Sequence, residues 1–149
     1  MNTTPEGYRL LQLPASGYLQ ANGPFFAQWN GERFVLGFRV EERHCNSSGV
    51  CHGGMVATLC DVLLTVGSNI QSGLSRFLPT ISMTCDFLGP ARSGAWIEGR
   101  VDILRTTRNL LFAAGLLEVT GEGAIARASG VMKVGGEPDA RYAADRYFA

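Results

Sequence analysis

Net charge is the first thing this sequence lacks. Thirteen Lys and Arg residues balance thirteen Asp and Glu residues over 149 positions. No overall field therefore draws the chain to nucleic acid or to an anionic membrane, and any phosphate must be met by a few local bases. Lysine itself is nearly missing, with Lys133 the one example, a bias we read as genome composition. The opening MNTTPEGYRL has no basic segment leading into a long apolar run, which argues against a secretory signal. The uncharged stretches His44–Cys60 and Val62–Ser75 are interrupted by Asn, Ser, Gly and Gln and read as too polar for a bilayer span. Four cysteines are too few for a disulfide scaffold, so free thiols in a reducing cytoplasm are expected. Low-complexity tracts and solenoid repeats are absent as well.

What is present is an apolar chain, 46% hydrophobic and 17% charged, of a length that predicts one globular domain over residues 1–149. With so little charge to keep monomers apart, self-association is expected. The organised unit runs from about residue 23 to 134. Residues 1–22 show no sustained period, while Gly135, Gly136 and Pro138 break the chain before a tail, DARYAADRYFA, that reads as a short helix or a partner-binding segment.

Inside the unit, the alternation over Arg33–Glu41 predicts a strand, followed by a polar loop at 44–49. From Gly53 to about Ile70 there is no proline and no charge but Asp61, and apolar residues recur at helical spacing, giving a helix of roughly 27 Å. Four more strands are predicted at Pro79–Phe87, Ala95–Leu104, Leu110–Val119 and Ala124–Val134, separated by turn-competent Gly, Pro, Ser, Thr and Asn residues. One buried helix followed by an antiparallel meander is an α+β layout.

At 100° per residue the helix divides into two faces. Met55, Val56, Leu59, Val62, Leu63, Val66 and Ile70 form a broad apolar side. Gly54, Ala57, Asp61, Thr65 and Ser68 form a stripe of small or polar residues, and Leu64 falls beside it as the exception. A carboxylate on so apolar a helix carries a desolvation cost of several kcal/mol unless it is paired or protonated. Asp61 is therefore either a structural hydrogen-bonding group or a carboxylate lining a cleft, its small neighbours leaving room for a ligand.

The run from Asn46 through His52-Gly53-Gly54 to Asp61 resembles the hotdog-fold acyl-CoA thioesterases of the PaaI-like type. In them an Asn precedes a His-Gly-Gly at a helix start and an acidic residue follows nine positions after the His. The likeness extends from Gly23-Pro24-Phe25 to TISMTCDFLGPARSG and covers about residues 23–134, leaving the tail at 135–149 outside. It implies a hotdog fold, one long helix wrapped by a five- to six-stranded antiparallel sheet. It also implies a homodimer with the site between subunits, often a dimer of dimers. The implied activity is hydrolysis of a thioester to free acid and coenzyme A, with no cofactor beyond the coenzyme A of the substrate and no metal.

The chemistry accounts for each residue of that motif. Free N–H groups at a helix start suit the negative charge that develops on a thioester carbonyl, and Gly53 allows close approach to the backbone. His52 is placed to hold the loop or donate a second hydrogen bond, and Asn46 to orient the carbonyl or a water. By resemblance Asp61 is general base or nucleophile. A hydroxyl on the following strand that positions water in some relatives aligns with Thr80, with Ser82 two residues on. Gly54 and Thr65 would face the substrate, while Arg105 and Arg108, bracketing a turn, would meet the phosphates of coenzyme A.

Competing readings are weaker. His44, Cys45, Cys51 and His52 lack the short Cys-x2–4-Cys spacing of a zinc site. Cys51 and Cys60 carry nothing that marks a reactive thiol. A hotdog module that binds acyl-CoA without turnover has no need to bury a carboxylate. A dehydratase would aim a histidine at the acyl chain, whereas His52 stands in the motif's loop.

Overall fold

The computed structural model describes residues 3–14 and 16–148; Met1, Asn2, Ala15 and Ala149 lie outside the described residues. Seven strands form one antiparallel sheet: β1 (Arg9–Leu10), β2 (Phe26–Trp29), β3 (Phe34–Arg39), β4 (Thr80–Phe87), β5 (Trp96–Thr106), β6 (Leu110–Val119) and β7 (Gly123–Lys133). Their order is β1-β2-β3-β5-β6-β7-β4. The five predicted strands are all present, within two residues at either end. The expected total of five to six is too low because β1 and β2 lie in the segment without a clear period. β1 is two residues long and β2, FAQW, is half-buried along most of its length. A short helix, α1 (Gly17–Asn22), precedes β2 and is capped by Ser16, whose side chain accepts from Leu19 N.

The central helix is continuous from Gly53 to Ser72 but changes character along its length. α2 (Gly53–Val62) passes into a π turn at Leu63–Gly67 and then into α3 (Ser68–Ser72). At 20 residues it is long and apolar enough to cross a membrane, which revises the reading of its two uncharged stretches as too polar. In the fold its apolar side is packed into the concave sheet. Leu59, Leu63 and Leu64 are sealed against Phe34, Leu36, Ile97, Val101, Leu111 and Leu117. Each such leucine contributes about 1.5–3 kcal/mol of burial. Close approach depends on missing side chains: a Cβ on Gly115 or Gly130 would meet Leu63 Cδ2 at 2.9 Å or Leu64 Cδ1 at 3.0 Å.

The π turn corrects the sequence-based helix faces. A wider turn shifts every later position relative to a regular 100° step. Leu64, placed beside the polar stripe by the regular step, is buried in the sheet at 1% exposure. Ser68 is fully buried too, and Asn69, though only 2% exposed, takes its place in the cavity lining. The C-terminal tail forms two 3₁₀ turns, Ala140–Tyr142 and Ala144–Phe148, that pack on their own chain. Gln12 N donates to Tyr147 O at 2.8 Å and Asn69 Nδ2 to Tyr142 O at 2.9 Å, so both flanks are tied to the body.

Candidate active site

The start of α2 is built by the loop before it. Asn46 Oδ1 accepts from Ser48 N at 3.0 Å and Val50 N at 3.4 Å, and Asn46 N donates to Val50 O at 2.9 Å, closing a polar turn between the bridged residues Cys45 and Cys51. His52 N donates to His44 O. His52 is the N-cap: its Nδ1 accepts from Gly54 N at 2.8 Å, so the neutral ring carries its proton on Nε2. Gly53 is the first helical residue, and its N–H makes no hydrogen bond among the described residues. This is the unsatisfied donor expected at a helix start.

Two turns along the helix, Asp61 is half-buried, and its Oδ1 accepts from Thr80 Oγ1 at 2.5 Å. Thr65 Oγ1 donates to the Asp61 backbone oxygen at 2.7 Å, just where the helix widens. Asp61 Oδ2 has no hydrogen-bond partner among the described residues. A cavity of about 540 Å³ opens beside it. The helix stripe Gly54, Ala57, Thr58, Asp61, Thr65 and Asn69 forms its floor, and Asp61 is its one carboxylate. α1 supplies a wall, with Tyr18 Oη and Thr58 Oγ1 2.8 Å apart. The tail supplies another through Tyr142 and Tyr147, and the segment between α3 and β4 a third through Arg76, Phe77 and Leu78. Burial pushes the Tyr147 phenol up to about 12, with Asn69 acting in the opposite direction.

The structure thus brings Asp61, Thr80 and Thr65 together, with Gly54 farther along the same cavity floor. It holds Gly53, His52 and Asn46 at the far end of α2. Eight residues separate Gly53 from Asp61, about 12 Å at 1.5 Å per residue, so the two cannot touch one carbonyl group within a single chain. Arg105, near the end of β5, and Arg108, in the turn after it, are exposed and lie outside the cavity. Burial pushes the Cys51 thiol up to about 11 and the Cys60 thiol higher, the opposite of what a nucleophilic cysteine needs. Sequence reasoning did not single out Tyr18, Asn69, Arg76, Tyr142 or Tyr147. The first and the last two sit in aperiodic flanks, and Arg76 is one more arginine in a loop.

The pattern of the thioesterase superfamily matches residues 48–126. The chain is 35% identical over 132 residues to a protein of Pseudomonas aeruginosa described as an esterase, covering 88% of this chain and 97% of that one. It is 33% identical over 85 residues to acyl-coenzyme A thioesterase 13 of Mus musculus, spanning 56% of this chain and 59% of that enzyme. Among solved structures it is similar to thioesterase superfamily member 2 of zebra fish, with a TM-score of 0.66 at 27% identity over 74% of this chain and 81% of that one. The PaaI protein of the E. coli phenylacetic acid degradation operon shares the fold, with a TM-score of 0.68 at 20% identity over 77% and 86% of the two chains.

Proposed function

The chain belongs to the thioesterase superfamily and is a thioester hydrolase, and from that premise we propose that it hydrolyses acyl-CoA at a site shared by two copies, with Asp61 as general base. The observation that carries the proposal is the 2.5 Å hydrogen bond from Thr80 to Asp61 at the edge of a cavity with no other carboxylate. Thr80 fixes the carboxylate through Oδ1 and leaves Oδ2 to take a proton from water. The water oxygen adds to the thioester carbon as the carbonyl electrons move onto oxygen. Collapse of this adduct breaks the C–S bond and expels the thiolate, which takes up the proton held by Asp61. A thiol with an ordinary pKa of about 8.5 leaves readily, so no strong general acid is required.

The developing oxyanion needs donors that Asp61's own chain does not offer. The Gly53 N–H of a second copy, aided by the helix dipole, is the donor we assign, with His52 holding that helix start in shape. Dimer formation is supported by the free edge of β4, the last strand of the sheet, whose neighbourhood exposes Ile81 and Phe87 at 57% each and Leu88 at 52%. The similarity to acyl-coenzyme A thioesterase 13 supports coenzyme A as the thiol half. Thiol release from a panel of acyl-CoAs tests the proposal: wild type should turn over at least one class, and Asp61→Asn should lose nearly all of that rate. Equal rates in wild type and Asp61→Asn would remove the carboxylate from the mechanism. Saturable acyl-CoA binding with no release by wild type would favour a binding module instead.

A further inference from the structure

Arg76 stands between α3 and β4 and faces the cavity beside Asn69, Phe77 and Tyr142. Its backbone is pinned: Arg76 N donates to Asn69 Oδ1 at 2.8 Å, and Asn69, 2% exposed, is itself bound to Tyr142 O. Its guanidinium has no such partner. Nε is closed off from solvent and makes no hydrogen bond, and no carboxylate pairs with this side chain among the described residues. Arg33, Arg43, Arg100, Arg127 and Arg141, by contrast, each pair with an acid. A half-buried cation with an orphaned donor is costly until an anion or acceptor reaches it. Asp61, the one carboxylate in the lining, is held by Thr80 and lies about 12 Å down the helix from Asn69. Among the described residues no anion reaches it, and a bound substrate is the source that remains.

Building on the acyl-CoA hydrolase reading, we infer that the cavity accepts acyl chains ending in a second carboxylate, and that Arg76 is the specificity residue that binds it. The walls between the two ends are Leu19, Val62, Val66, Leu78 and Met83, which suit a hydrocarbon chain. At about 1.2 Å per bond in extended form, a diacid of about six to eight carbons spans about 6–8 Å, half to two thirds of the distance from Asp61, and the arginine side chain covers the rest. The phosphates of coenzyme A are the other anions a substrate carries. They are strongly hydrated and poorly matched to these apolar walls, so the acyl carboxylate is the source we assign.

The test compares adipyl-CoA with hexanoyl-CoA and suberyl-CoA with octanoyl-CoA, by kcat/KM, in wild type and Arg76→Gln, with thermal melts to establish that the variant folds. Wild type should favour the diacid by at least about tenfold at matched length, and Arg76→Gln should collapse that ratio mainly through KM. A wild-type preference for the methyl-terminated chain, which needs no variant to observe, overturns the inference. Equal losses on both substrates, accompanied by weaker inhibition by free coenzyme A, would also overturn it and assign Arg76 to the phosphates. Turnover of methyl-terminated chains without a diacid preference leaves the hydrolase reading standing and removes only this inference. No turnover of any of the four removes this inference, while the hydrolase reading falls only if the wider acyl-CoA panel is inert as well.

Discussion

Replacing Gly53 by proline separates the proposed oxyanion donor from the fold that carries it. Gly53 is the first residue of α2, where the backbone N–H has no partner among the described residues to lose and proline is favoured. The preceding residue, His52, has φ −59° and ψ 139°, the extended geometry that a residue before proline requires. A Cβ at this position would meet Phe87 Cε1 at 3.7 Å, an ordinary contact. The variant should therefore fold, and the stiffer unfolded chain should add about 0.4–1 kcal/mol of stability. That corresponds to a rise in Tm of about 1–4 °C for a chain of this size. Activity should move the other way: loss of one oxyanion donor costs about 10²–10³ in kcat, or about 2.7–4 kcal/mol. Gly53→Ala, which keeps the N–H, should lose far less. Differential scanning calorimetry and steady-state thiol release supply the two readouts. A folded Gly53→Pro enzyme with kcat within about threefold of wild type would refute the assignment of the helix terminus to the oxyanion.

Thr80→Val removes the hydrogen bond to Asp61 while keeping the shape of the strand residue. Hydrogen bonds to charged groups contribute about 1.5–3 kcal/mol to stability, so melts should show Tm lower by up to about 3–12 °C, and kcat should fall about 10- to 100-fold as the carboxylate loses its fixed orientation. Mixing Asp61→Asn with Gly53→Pro subunits by co-refolding should regenerate about a quarter of wild-type activity, because random dimers include mixed ones with one intact shared site. No recovery, with subunit exchange demonstrated by mass, would place the whole site in one chain. His44 is buried, and desolvation first, then the Arg43 charge, lowers its pKa from the usual 6.5. The unfolded chain therefore takes up this proton first. Stability is full above about 6.5 and drains as the pH falls toward the lower folded value, so Tm should drop on acidification, and less so in His44→Asn.

The elements that could be read from the sequence are those whose periods survive in the fold. The core strands alternate because the sheet lies against the helix on one face, and the helix start at His52-Gly53 is marked by a capping residue and the first glycine. The family resemblance singled out Asp61 and Thr80 separately, the first as base or nucleophile and the second as a hydroxyl that positions water; their 2.5 Å hydrogen bond is visible only in the structure. Periodicity failed where geometry departs from a regular repeat. The π turn at Leu63–Gly67 moved the cavity-lining position from Ser68 to Asn69, a one-residue shift invisible to a fixed 100° step. β1 and β2 were too short or too mixed to show a period. Arg76 was hidden for another reason, since its distinguishing property is an Nε closed off from solvent without a partner, and that exists only in three dimensions.

The walls of the cavity divide chemistry from selection along the chain. Gly53, Asp61 and Thr80 fall within the segment 48–126 that matches the superfamily pattern. Leu13, Ser16, Tyr18 and Leu19 precede that segment and Tyr142 and Tyr147 follow it, yet all six line the cavity. The flanks are held to the helix by Tyr18 with Thr58 and by Asn69 with Tyr142, and to each other by Gln12 with Tyr147, contacts that do not involve Asp61 or Thr80. Changes in the flanks should therefore alter which acyl chain fits while leaving the reacting groups in register. Tyr18→Ala, which opens the α1 wall, should change KM across a series of acyl-chain lengths much more than it changes kcat. A uniform fall in kcat for every chain length would mean instead that α1 supports the geometry around Asp61, and that selection and chemistry are coupled through it.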